Sequence, residues 1–117
     1  MPSTHTYLAN LLDQIPDIPV DTIVSKSLYS DDQVKAILFG FAAGQELSEH
    51  TSSQIATLYF AQGEAEVTLG DEKMTAQPGT WIHMPPHLPH SITAKTPVLM
   101  LLTMLKPLEP SDPTESD

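Results

Sequence analysis

Cysteine is absent from the 117 residues. That excludes a disulfide framework, thiol catalysis, Cys-ligated zinc and iron–sulfur clusters. Arginine is absent too: the basic residues are Lys26, Lys35, Lys73, Lys95 and Lys106, against 15 acidic residues and a net charge of −10. No bidentate guanidinium fork is available for a carboxylate or phosphate. A nucleic-acid backbone or an anionic membrane would be repelled, so neither is an expected partner. The longest apolar run, Val98 to Leu102, is far too short to span a bilayer. Residues 1–5 show no basic and apolar leader pattern, and the expectation is a soluble cytoplasmic protein. Glycine-rich phosphate loops and Gly-x-Ser-x-Gly are missing, which leaves no support for phosphate cradling or serine catalysis.

A chain of this length predicts one domain with its own core. Residues 1–33 read as an N-terminal arm. Ser3 or Thr4 is a candidate cap for a short helix carrying Tyr7, Leu8, Leu11, Leu12 and Ile15 on one face, ended by Pro16 and Pro19. Asp21 to Tyr29 reads as an irregular strand.

Short strands punctuated by Gly and Pro fill residues 34–106: 34–42, 54–61, 64–69, 73–76, 80–84, 90–94 and 98–105. Ala65, Val67 and Leu69 alternate with Glu64, Glu66 and Thr68, as a half-buried strand requires. Val98 to Leu105 is almost wholly apolar, which predicts burial on both faces. Pro107 to Asp117, with three prolines and four acids, reads as a disordered acidic tail. The pattern predicts an all-β sandwich or barrel.

Histidines cluster at His83, His87 and His90, and His50 stands in a separate polar segment. Gly44, His50 and Gly63 keep the spacing Gly, five residues, His, then a later Gly. Gly79, Pro85 and His90 keep the spacing Gly, five residues, Pro, four residues, His. In these two motifs the chain resembles the cupin superfamily, specifically the small single-domain conserved-barrel (cupin 2 type, RmlC-like) proteins. The resemblance covers about residues 34–106. It implies a double-stranded β-helix, or jelly roll, here with a short N-terminal helix and strand arm. Departures from the family pattern are Ser52 for the second His of the first motif, Ala56 for its Glu, His87 for the inner Gly of the second motif and Ala94 for its Asn.

The resemblance implies a cavity in which His50 and His90 bind a small molecule, with Ser52 and Gln54 as helpers on the same strand parity. It also implies a divalent transition metal, such as Zn, Ni, Fe or Mn, on His50 and His90. Two imidazoles make an incomplete shell, so His83 is the candidate third ligand. Met74, Met84, Met100 and Met104 read as core filler. Trp81 reads as core or interface. Three functions are open: a small-molecule-binding cupin, a metal-dependent dioxygenase or isomerase of a small oxygenated metabolite, and a non-catalytic dimeric interaction module. A homodimer is expected in each, and the residues leave enzyme and binding protein both open.

Overall fold

The computed structural model describes residues 4–107. The predicted acidic tail, apart from Pro107, and the candidate cap Ser3 lie outside the described residues. Among the described residues, nine strands follow a short 3-10 turn at Leu11–Asp13. They are β1 (Ile23–Ser30), β2 (Val34–Phe41), β3 (Glu46–His50), β4 (Ile55–Gln62), β5 (Ala65–Leu69), β6 (Glu72–Ala76), β7 (Trp81–Met84), β8 (His90–Ala94) and β9 (Val98–Leu105). Two sheets form, ordered β1-β2-β9-β4-β7 and β3-β8-β5-β6. Every pairing is antiparallel. The architecture is the jelly roll expected from the motifs.

Alternation along each strand builds the core. Phe41, Leu58, Phe60, Val98 and Met100 of the five-stranded sheet meet Ala65, Val67, Ala76, Ile92 and Ala94 of the other. Burial of a large apolar side chain stabilises by about 1.5–3 kcal/mol. The small Ala residues let the second sheet approach the large rings of the first. Turn chemistry matches: Gly70, at φ +60, takes the first central position of the two-residue β5–β6 hairpin, where a mirror-image turn requires it.

The arm departs from expectation. Its helix is reduced to Leu11–Asp13, with Asn10 Oδ1 accepting from the Leu12 amide at 3.0 Å. Tyr7 is 79% exposed and Leu12 42%, while Leu8, Leu11 and Ile15 are half-buried, so the proposed helical face is covered only in part. Fewer than about twelve residues before Pro16 make a marginal helix without tertiary packing. The arm instead half-buries Ile15 and Ile18, which lie over Gly40, where an added Cβ would come within 2.9 Å of Ile18. Residues 23–30 pair with β2 and so belong to the sheet.

Nor is the segment around His50 one strand. β3 ends at His50, and β4 begins at Ile55 in the other sheet. β9 is fully buried only at Val98, Leu99 and Met100; its outward side opens toward Leu105, 39% exposed. No helix among the described residues is long and apolar enough to cross a membrane.

Gly63 links β4 to β5 at φ +87, and a Cβ there would collide with the Pro97 carbonyl oxygen and lie 2.8 Å from Val98 Cα. Positive φ and a backbone collision add, since neither partner can yield without moving β9. Gly63→Ala is expected to destabilise by about 3 kcal/mol or more. The urea midpoint of the variant against the parent checks this; a shift equivalent to under about 1 kcal/mol would contradict it.

Candidate functional site

His50 and His90 are direct cross-strand partners, the last residue of β3 facing the first of β8. Their ring centroids stand 4.2 Å apart at an interplanar angle of 59°. Each ring is held in the same way. His50 Nδ1 lies 2.8 Å from the Ser48 carbonyl oxygen, and His90 Nδ1 lies 2.8 Å from the Leu88 carbonyl oxygen. A carbonyl only accepts, so both Nδ1 atoms carry a proton, and in the neutral ring the lone pair lies on Nε2. The rings differ in setting: His50 is exposed at the rim, and His90 is 8% exposed.

Beneath them lies a cavity of about 180 Å³, lined chiefly by aliphatic and thioether side chains. Phe39, Leu47, Leu58, Ile92, Met100 and Leu102 supply much of the wall, and Met84 and Met104 flank Ala56. Ser52 is the other polar residue on the lining. Its hydroxyl accepts from the Gln54 amide at 3.1 Å, and its carbonyl accepts from the His87 amide at 2.7 Å. That second bond ties the Pro-rich loop to the rim, with His87 itself in left-handed conformation at φ +71. Among the described residues, no carboxylate lines the cavity.

His50, His90 and Ser52 thus share one cavity. Gln54 does not line it: β3 and β4 are separate strands, so shared parity across residues 50–56 does not hold. His83 does not line it either. On β7, Ile82 and Met84 turn inward, while Trp81 and His83 are exposed on the outer face, opposite Tyr59 and Thr57 of β4. His83 therefore does not join His50 and His90. Sequence reasoning missed Phe39, Leu47 and Leu102 as lining, although the alternation of β2 and β9 carried the signal for two of them.

The divalent site implied by the family does not fit these residues. No group of three His, Cys, Asp or Glu able to hold a metal exists among the described residues. The positions that would complete a His- and Glu-rich shell hold Ser52 and Ala56, and a neutral hydroxyl and a methyl offer little to a Zn, Ni, Fe or Mn ion.

Residues 37–104 match the Cupin domain family, more than half of the chain, and the chain belongs to that family. A cupin superfamily protein from Desulfitobacterium hafniense is similar at 27% identity and TM-score 0.79, over 92% of this chain and 95% of that one. A conserved protein of unknown function from Streptococcus pyogenes is similar at 28% identity and TM-score 0.80, over 92% and 93%. KdgF from Halomonas sp. is similar at 25% identity and TM-score 0.67, over 74% and 81%. No curated protein matches.

Burial pushes the His90 pKa below its ordinary 6.5; the charge of a protonated His50 lowers it further, and the bond to Leu88 opposes both. Between that lowered value and 6.5 the unfolded chain holds more protons at His90 than the folded one does. This contribution to stability is therefore full above about pH 6.5 and declines as pH falls through the folded value. The urea midpoint of metal-free protein is expected to drop on acidification from neutral pH through this window, with a smaller drop in His90→Gln. Equal slopes in the two proteins would remove His90 as the cause.

Proposed function

We propose that this chain is a small-molecule-binding cupin whose cavity takes a compact, largely apolar, neutral or cationic ligand through the paired imidazoles. The single observation behind this reading is the pair of Nε2 lone pairs at the rim of an otherwise apolar void. A neutral imidazole Nε2 accepts, so the matching ligand end is an O–H or N–H donor. Size argues for one ring: an apolar cavity of roughly 150 Å³ takes benzene, and this one measures about 180 Å³. Charge argues against an anion, because no Lys among the described residues lines the cavity and the chain carries −10. A dioxygenase or isomerase built on a divalent ion lacks its ligand set here, and a general base would have to be one of the same two histidines.

Single-ring alcohols and amines, such as cyclohexanol and benzylamine, are expected to raise the melting temperature in a dose-dependent way. A ligand at about one hundred times its Kd adds about 2.7 kcal/mol. Benzoate is expected to be inert. A His50→Ala, His90→Ala double variant is expected to lose the shift. No shift with any donor-bearing ring, or an undiminished shift in the double variant, would sink the reading.

We propose further that two copies associate through the outer face of β9, β4 and β7. None of these three adjacent strands carries an Asp, Glu or Lys, in a chain with 15 acids. Trp81 is 62% exposed there, beside Tyr59 at 38%. Two molecules of charge −10 repel, a face free of acids keeps that repulsion smallest, and this surface also offers apolar contact. A second copy presents the same face, as two-fold pairing requires. Sedimentation at micromolar concentration is expected to give a dimer that Trp81→Glu converts to a folded monomer. A monomeric parent, or a variant that stays dimeric, would overturn this.

A further inference from the structure

The family's acidic ligand position is Ala56, and the register around it sets up a different chemistry. Met84 of β7 is its cross-strand partner on one side, and Met104 of β9 is its partner on the other. Strands lie about 4.8 Å apart, so the two methionine backbones are roughly 10 Å apart with only a methyl between them. Both side chains line the same cavity as His50 and His90. Thioethers are soft donors that favour Cu(I), and neutral imidazole suits copper as well. Each histidine is already fixed with Nδ1 protonated, leaving Nε2 as the available donor.

We propose that His50, His90, Met84 and Met104 form a binding site for a soft monovalent cation, Cu(I). Charge supports one plus rather than two. With no carboxylate on the lining, a bound ion keeps its whole charge in apolar surroundings. The desolvation cost rises with the square of the charge, about fourfold more for a dication. A thioether has no proton to lose, so two of the four donors bind without competition from acid. Packing alone accounts for methionine in a core, but it does not call for two on either side of the smallest residue on the wall. Met100 stands apart from this arrangement. It lines the cavity on the same strand as Met104, yet pairs with Phe60 rather than Ala56. Its place on β9 is about 13 Å along the strand from Met104.

The proposal rests on the proposed function's pair of Nε2 atoms and adds the two thioether sulfurs, so substitutions at the methionines separate the two readings. The test is an anaerobic titration of the full-length, metal-free protein with Cu(I) against a chromogenic Cu(I) chelator, followed by X-ray absorption at the copper edge. One Cu(I) per chain is expected, with sulfur as well as nitrogen in its shell. Met84→Leu and Met104→Leu are each expected to weaken binding about tenfold and together about a hundredfold, while Met74→Leu, off the cavity lining, leaves it unchanged. These swaps nearly conserve volume and leave the fold intact, which the thermal melt of each variant verifies. Parent-like affinity in a folded Met84→Leu, Met104→Leu variant would overturn the proposal. So would a copper shell of nitrogen and oxygen alone, or binding no tighter than in the His50→Ala, His90→Ala protein. The cyclohexanol shift of the metal-free parent reads the organic site separately, because that ligand needs no thioether donor.

Discussion

The ladder that β9 makes with β2 on one side and β4 on the other runs the length of Val98 to Leu105, and the other wall positions take their places from it. Val98, Met100, Leu102 and Met104 consequently face the interior, and Leu99, Leu101, Thr103 and Leu105 face out. A slip of one residue would exchange those two sets. It would also separate Met104 from Ala56 and bring a different residue beside each β9 member of the cavity wall. The register is locked because the inward set must place Met100 beside Phe60 in the core. Gly63 serves the same lock at the strand's start, where a side chain would press on Pro97 and Val98.

With the wall set, the cavity's character follows from a few small residues. Where a cupin of the metal-binding kind carries a second His and a Glu, this chain carries Ser52 and Ala56. Losing those donors removes both the negative charge and half of the ligand shell, and what remains is an apolar chamber with two imidazoles at its rim. The rings are unequal, although the backbone holds them alike. His50 ends an edge strand in water, whereas His90 begins a strand flanked on both sides by β3 and β5. The inner ring is therefore the one whose protonation is resisted, which keeps a lone pair available at neutral pH.

Charge is distributed as unevenly as polarity. Acids occupy the arm, the turns, the strands β3, β5 and β6 and the sequence from 109 to 117, while the adjacent strands β4, β7 and β9 carry neither acid nor Lys. The two faces of those uncharged strands serve different ends. Inward they build the cavity. Outward they present Tyr59, Trp81 and Leu105, with part of the neighbouring surface, at Gly40, already covered by Ile15 and Ile18.

The jelly roll, most strand positions and the approach of His50 to His90 are legible in residues 34–106, because glycine and proline turns and the spacing of two motifs are local facts. The strand predicted at 98–105 coincides with β9, and Ala65 and Val67 turn inward as their alternation requires. Other features lie beyond a linear reading. Period two says that Trp81 and His83 share a face; only the closing of one sheet on the other decides that this face is the outer one. Tyr7 to Ile15 has helical spacing, but a short helix needs a surface to bury its whole face, and the fold half-buries Leu8, Leu11 and Ile15 while leaving Tyr7 and Leu12 exposed. Met84 and Met104 lie far along the chain from Ala56 and become its neighbours through strand order, which no spacing in the sequence encodes. Sequence alone therefore determined which residues can alternate and where the chain must turn. Tertiary structure decided which side of each strand is inside, because that choice is made by the sheets together and by no strand on its own.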